Sequence, residues 1–232
     1  MPVSQSCTNP KRPGFYYVLR IWWALALAGW AVAILPGCEA PKGPPREGAV
    51  AQVLDGDTVV LAGTGHKVRL LGIDAPEMER EGQPAEFLAH QARAELDRLT
   101  RGQELRLEYD QLRYDHYGRT LAYLFLPSGA MVNSEMVRQG LSHVYSRPPN
   151  VRFRDALLAA QREALEARRG IWQKRLKQDE PHYLVNRNSL IFHRPNCALA
   201  AKMAPANRMR LDSLKEGYLQ GFSPCRSCKP GG

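Results

Sequence analysis

The sequence predicts a β-rich α+β protein: a five-stranded barrel of the OB type carrying about three helices, followed by a small metal-stabilised α+β unit. Three observations carry that expectation. Short β-leaning runs open the main domain and are linked too tightly for the crossover helices that a parallel sheet requires. Helical periodicity appears only later and in short stretches. His and Cys residues cluster near the C-terminus at metal-ligand spacing. The 232 residues, 44% of them hydrophobic, suffice for one sizeable domain and a second small one, and the aromatic and charged fractions do not suggest disorder. The net charge of +9 favours polyanionic partners in general terms and carries no sequence specificity.

Residues 1–37 read as a targeting signal. Lys11, Arg12 and Arg20 precede an apolar run at 21–35, shorter than the ~20 residues of a membrane span but suited to a signal-peptide core. The run ends in Leu35-Pro36-Gly37-Cys38, which resembles a bacterial lipobox, so Cys38 is the expected lipidation site and first residue of the mature chain. The alternative is an uncleaved membrane anchor with an incidental Cys, should the run tilt or extend toward Tyr16. On either reading the remainder leaves the cytoplasm for the cell envelope. Glu39, standing where Asp would favour retention in the inner membrane, favours the outer membrane by resemblance to other lipoproteins. Residues 38–47, rich in Pro and Gly, read as a tether.

The main domain is expected over residues 48–173. Residues 49–54 and 58–61 are β-leaning and joined through Asp55-Gly56-Asp57, a strong turn signal, and 67–73 makes a third strand, giving a meander. Pro84 opens a helical pattern through Phe87, Leu88, Ala92, Leu96 and Leu99, stopped by Gly102. Leu105, Leu107 and Tyr109 alternate as a strand, as do Leu121, Tyr123 and Phe125; residues 132–140 form a short helix and 156–167 a longer one, before Gly170-Ile171-Trp172.

A charged linker at 174–181 leads to a second unit at 182–232. His193 and Cys197 are spaced H-x3-C, and Cys225 and Cys228 are spaced C-x2-C, an inventory that suits one tetrahedral zinc ion. With Cys7 lost with the signal and Cys38 lipidated, three thiols remain and cannot all pair; a Cys225–Cys228 disulfide in an oxidising compartment is the alternative. The segment resembles the metal-binding domain of the Ada-type alkylation-repair protein, with His193 where that family has its methyl-accepting Cys. The resemblance therefore implies a structural zinc module rather than repair chemistry. About 50 residues is also too few for a robust core without such a staple.

The chemistry concentrates in three motifs: Asp55-Gly56-Asp57-Thr58, the stretch from Arg69 to Glu77 (RLLGIDAPE), and Asp115-His116-Tyr117-Gly118-Arg119. Asp57 and Asp74 each follow a short β run, so two turn-borne carboxylates can converge on one hard cation, and oxygen-only ligation suits Ca²⁺ over zinc. For Asp55 an Asx-type turn is the preferred reading. Arg69 lies inside an apolar strand and Arg119 follows a Tyr-Gly turn; each is a planar fork able to grip phosphate oxygens, with a surface salt bridge as the alternative. Glu77 is the water-activating candidate, because Pro76 directs it back toward the carboxylate at Asp74. His116 reads as solvent-facing or as a minor phosphate contact. Carboxylates for a metal, two guanidinium groups and one spare carboxylate are what hydrolysis of a phosphodiester requires.

Asp57, Arg69, Asp74, Glu77 and Arg119, with the helix near Asn133 and the closing Gly-Ile-Trp, resemble the staphylococcal nuclease (thermonuclease) family over about residues 48–172. The resemblance implies a Ca²⁺-dependent nuclease acting on DNA and RNA and leaving 3′-phosphates. It also implies Ca²⁺ ligation by Asp57, Asp74 and the backbone carbonyl of Ala75, catalytic roles for Arg69, Glu77 and Arg119, and nucleotide contact by Tyr117 and Tyr145. The stretch after Glu77, residues 78–83, is shorter than in the best-known member. The competing class is an envelope module that binds nucleic acid on a nuclease-like barrel without cleaving it. No protein partner is implied.

Overall fold

A computed structural model describes residues 43–174 and 176–231. The apolar run at 21–35, Cys38 and the first part of the tether lie outside the described residues. β1 (Glu47–Asp55), β2 (Thr58–Leu61) and β3 (Lys67–Leu70) form the expected antiparallel meander, with Asp55 opposite Thr58 at the first turn and Thr58 opposite Arg69 at the second pair. After β4 (Gly72–Asp74) and α1 (Ala89–Thr100) come β5 (Glu104–Glu108) and β6 (Thr120–Phe125). The barrel closes in the order β1-β2-β3-β6-β5, with β3 and β6 parallel and β5 returning antiparallel to β1. Val59, Val68, Leu105 and Leu124 from its strands and Leu96 from α1 share one core without exposure.

Three details differ from the sequence expectation. The strand expected at 67–73 is two strands, because the chain turns at Gly72, which has φ +77° and whose notional Cβ would lie 2.4 Å from Leu157. Only glycine tolerates both conditions. β4 then leaves the barrel to pair with β7 (His143–Tyr145), a strand not foreseen because three residues carry no readable alternation. The helix expected from Pro84 begins only at Ala89, since Leu88 adopts φ +68° and breaks any earlier turn. The residues before it are committed elsewhere: Glu86 accepts the Glu77 amide at 3.0 Å and donates its own to the Glu77 carbonyl at 2.9 Å.

α2 (Val132–Arg138) and α3 (Arg154–Glu166) complete the three helices of the barrel domain. Fully buried Asn133 links α2 to the strand break: its Oδ1 accepts the Leu124 amide at 2.9 Å and its Nδ2 donates to the Leu71 carbonyl at 2.8 Å. That amide satisfies backbone groups that the turn at Gly72 would otherwise strand.

The C-terminal unit comprises β8 (Tyr183–Asn186), β9 (Ile191–His193), α4 (Ala198–Ala201), β10 (Arg208–Leu211), α5 (Leu214–Leu219) and β11 (Ser223–Pro224), with sheet order β10-β8-β9-β11. Tyr183, Phe192 and Leu214 form its own small core. The unit is seated on α3 and β7 of the barrel domain: Gln161 donates to the Tyr218 carbonyl at 2.6 Å, Ser223 Oγ donates to the Val144 carbonyl at 2.8 Å, and the Tyr218 ring meets Trp172 edge-on at 4.9 Å. The intervening charged segment is tied down as well, since Asp179 accepts from the Tyr183 hydroxyl at 2.6 Å and pairs with Arg194 at 2.5 Å.

Candidate active site

The turn between β1 and β2 presents Asp57 inward. Asp55 accepts the Asp57 amide at 3.0 Å, so Asp55 forms the Asx turn while Asp57 is left to point at β4. Gly56 lets the turn press close, as a Cβ there would lie 2.6 Å from Ala75 and 2.7 Å from Ala92. Asp57 is held from three sides, by the Thr58 hydroxyl at 3.0 Å, the Ala75 amide at 2.9 Å and Arg69 Nη2 at 2.9 Å. The same Arg69 nitrogen reaches Asp74 at 3.0 Å, and its other terminal nitrogen donates to the Leu70 and Ile73 carbonyls at 2.7 and 2.9 Å. Arg69 is thus a buried fork between two buried carboxylates, one from the turn and one from the end of β4.

Burial pushes the Asp57 carboxyl up to about 7; Arg69 opposes that, while Asp55 and Asp74 reinforce it. A pocket that raises a carboxyl this way is short of positive charge. Two oxygen donors converging within reach of one guanidinium nitrogen fit a small hard cation, with Ala75 beside them.

Glu77 extends from the loop after β4 and pairs with Arg80 at 2.6 Å. Arg119 stands across the cleft with its Nε on Asp115 at 2.7 Å and its guanidinium 5.5 Å from the Tyr117 ring. Although burial raises the Asp115 carboxyl, Arg119 and the amides of Arg119 and Tyr117 outweigh it and hold it below the ordinary range. A cleft of about 430 Å³ is lined by Arg69, Arg119, Tyr117 and Tyr145, so the two forks and both aromatic candidates share one space. Tyr117 is 73% exposed, and His116 is exposed beside it.

Sequence reasoning missed two residues here. Arg226, from the C-terminal unit, pairs with Asp74 and stands 3.7 Å from Glu77. Its only sequence signal was its position between Cys225 and Cys228, which fixes where it is held but not where it points. His143, on β7, lies 3.9 Å from Asp74; burial lowers its pKa, with Asp74 opposing, so it is disposed to be neutral. Nothing in the sequence singled it out.

Away from the cleft, His193, Cys197, Cys225 and Cys228 gather with their ligand atoms all within 4.8 Å of one another, and the three cysteines are free thiols. His193 Nδ1 is 3.5 Å from Cys197 Sγ, and the Arg194 amide donates to Cys228 Sγ at 3.4 Å. Three sulfurs and an imidazole around one buried point fit a tetrahedral, thiophilic ion.

Residues 67–174 match the family model described as staphylococcal nuclease homologue. The chain is 35% identical over 127 residues to a thermonuclease from Staphylococcus intermedius, covering 54% of this chain and 75% of the relative. It is 35% identical over 158 residues to an uncharacterised protein from Bacillus anthracis, covering 66% and 71%. It is 32% identical over 127 residues to an endonuclease from Bacillus subtilis, covering 53% and 60%. With its barrel, its paired carboxylates around Arg69 and these similarities, the chain belongs to the staphylococcal nuclease homologue family.

Proposed function

We propose that this protein is a lipid-tethered, Ca²⁺-dependent nuclease of the cell envelope that hydrolyses phosphodiester bonds in DNA and RNA. Its relatives include thermonucleases and an endonuclease, and phosphodiester hydrolysis is the chemistry that its carboxylates and guanidinium groups suit. The observation that carries the reading is Arg69, set between Asp57 and Asp74 and opening onto the same cleft as Arg119.

In this mechanism Arg69 and Arg119 grip the scissile phosphate from two sides, and both bonds strengthen as negative charge builds on its oxygens in the transition state. Glu77 holds a water for in-line attack and takes its proton. Bound at Asp57, Asp74 and the Ala75 carbonyl, Ca²⁺ supplies additional charge stabilisation for the phosphate. Tyr117 and Tyr145 flank the path of the nucleotides, where an aromatic face can stack on a base. Zn²⁺ suits the four C-terminal ligands as a structural ion separate from this centre, and resemblance to the Ada-type metal-binding domain supports that assignment.

Incubation of the mature chain with plasmid DNA and with RNA, in Ca²⁺ and in a Ca²⁺ chelator, tests the core of the reading. Cleavage only with Ca²⁺ is the expected result. Equal cleavage in excess chelator would reject the metal assignment, and binding without cleavage under any cation would favour a non-catalytic capture module. For the anchor, Cys38→Ser is expected to abolish lipid labelling, since it removes the thiol that accepts the lipid, and with it the membrane attachment that more than one acyl chain supplies. A mature, unlipidated chain beginning after Cys38 would make the nuclease a secreted one, and an unprocessed amino terminus would mean a membrane anchor.

A further inference from the structure

The cleft that holds Arg69 and Arg119 does not end at the barrel. Tyr145, Arg147 and Arg226 line it and also line a second groove, of about 520 Å³, that runs over the C-terminal unit past Lys202 and Ser227. This second groove is bordered by the cations Arg147, Arg226 and Lys202 and by no carboxylate among its lining residues. Tyr145 sits at the junction near two guanidinium groups, Arg147 at 5.7 Å and Arg226 at 5.5 Å from its ring centroid. Arg226 makes its ion pairs to Asp74 and Glu77 through one terminal nitrogen only. Among the described residues no hydrogen bond uses its Nε or other terminal nitrogen, so part of a five-donor fork remains for an outside acceptor.

From these observations we infer that the C-terminal unit carries a second nucleic-acid subsite, which receives the strand as it leaves the catalytic cleft. Arg226 and Arg147 are its phosphate contacts at the junction, and Lys202 is a contact further along. The inference rests on the nuclease reading for the identity of the polymer and adds to it a role for the metal knuckle. A backbone with one negative charge per nucleotide matches a groove lined by Arg147, Lys202 and the outward part of Arg226, with no carboxylate among its lining residues. The exposed side chain of Leu199 and the ring of Tyr145 give its bases an apolar surface. Cys225 and Cys228 flank Arg226, so the thiol cluster fixes the register at which the two grooves meet.

The test measures binding of fluorescent single-stranded oligonucleotides of about 16 and about 4 nucleotides to the full mature protein in a Ca²⁺ chelator that spares zinc. An Arg147→Ala/Lys202→Ala double variant is expected to bind the long strand about tenfold more weakly. Its log–log salt slope should be shallower by about 1.4, or 0.7 per lost phosphate contact on a single strand, with a smaller change for the short strand. Arg226→Ala should weaken both, and Arg226→Lys should restore part of the loss. Unchanged affinity and salt slope in the double variant would overturn the inference. Tighter binding or faster cleavage by Arg226→Ala would overturn it too, showing Arg226 to be a plug over Asp74. Failure of the wild type to bind either strand would likewise overturn it. A wild type that binds with this signature but never cleaves would refute the nuclease reading and leave the subsite standing. One that cleaves without the signature would do the reverse.

Discussion

The barrel domain carries a continuous core in which Val59, Leu96, Leu124, Val132 and Met136 are wholly buried around a closed sheet; the C-terminal unit has one small cluster around Tyr183, Phe192 and Leu214 and, beside it, three thiols and an imidazole. Asp57, Arg69 and Asp74 are held by the first region, Asp57 by the Ala75 amide, Arg69 by the Leu70 and Ile73 carbonyls, and Asp74 by Arg69 itself. Arg226 is held by the second, on a knuckle of four residues. The candidate centre therefore draws its paired carboxylates from a part that folds by burial and one of its cations, Arg226, from a part built around a cluster of soft side chains and placed by docking. The consequence is that the chemistry and its reach along the substrate should fail separately.

The largest expected effect tests the barrel side of that division. Glu77→Gln preserves shape and hydrogen-bonding capacity but cannot accept the proton of the attacking water. Turnover should fall by about 10²-fold or more, while oligonucleotide affinity and thermal unfolding stay close to wild type. Turnover equal to wild type would move the water-activating role to another group.

Next in size is the effect of disrupting the knuckle. Cys225→Ser removes one of the four residues gathered in the thiol cluster, and in the proposed zinc reading a unit this small would take much of its folding free energy from the ion. Zinc stoichiometry by elemental analysis should drop and the C-terminal amides should lose protection from hydrogen exchange, while those of the barrel keep theirs. Cleavage of long strands should fall about tenfold, the loss expected for the subsite contacts, through release of Arg226. A variant with full zinc content and full activity would show that the two regions are not linked in this way. Because α5 and β11 sit against α3 and β7, a chain cut at Pro181 would also uncover Val144 and Trp172, so point variants are the cleaner probe.

The legibility of the two regions in the sequence differs for the same physical reason. The meander, the carboxylate turns and the two-knuckle ligand spacing are local patterns, readable because a short stretch of chain determines them. Arg69 was readable because a guanidinium inside an apolar strand demands a partner. Arg226 was not, for it meets Asp74 across 152 residues, and no local pattern records such a meeting. The late start of α1 escaped for a similar reason: residues 84–88 have helical periodicity, but their polar groups brace Glu77, a tertiary demand that overrides the local preference. β4 and β7, three residues each, are too short to show alternation and are strands only because each is the other's partner.

A smaller effect sharpens the charge balance of the barrel site. With Ca²⁺ removed, burial raises the Asp57 carboxyl from 3.8 to about 7 in the folded protein. The native state then binds this proton more tightly than the unfolded chain does. Its contribution to stability is complete below the unfolded value and is lost as pH rises through about 7. In a Ca²⁺ chelator, the wild type should lose thermal stability relative to Asp57→Asn as pH rises from about 4 to about 7. Added Ca²⁺ should reverse the loss at the upper end, because the cation takes the deprotonated carboxylate. A stability difference that stays flat with pH would mean that Asp57 is already ionised without metal.

The smallest expected effect falls on the seam between the regions. Arg162, on the exposed side of α3, donates from two nitrogens to the Leu219 carbonyl at 3.2 and 3.1 Å, alongside the Arg154 bond to Gln220 at 2.6 Å. The carbonyl is near solvent, so water can replace the guanidinium, and Gln161 and Ser223 still fasten the same face from more buried positions. Arg162→Ala should therefore cost about 1 kcal/mol of docking, the net worth of an ordinary hydrogen bond. That should appear as a slight rise in hydrogen exchange across α5, with cleavage of short and long strands altered by less than about twofold, since Arg226 keeps its place when docking loses so little. If this single exposed contact lowered long-strand cleavage as far as Cys225→Ser does, Arg226 would be placed by the α3–α5 seam and not by the thiol cluster.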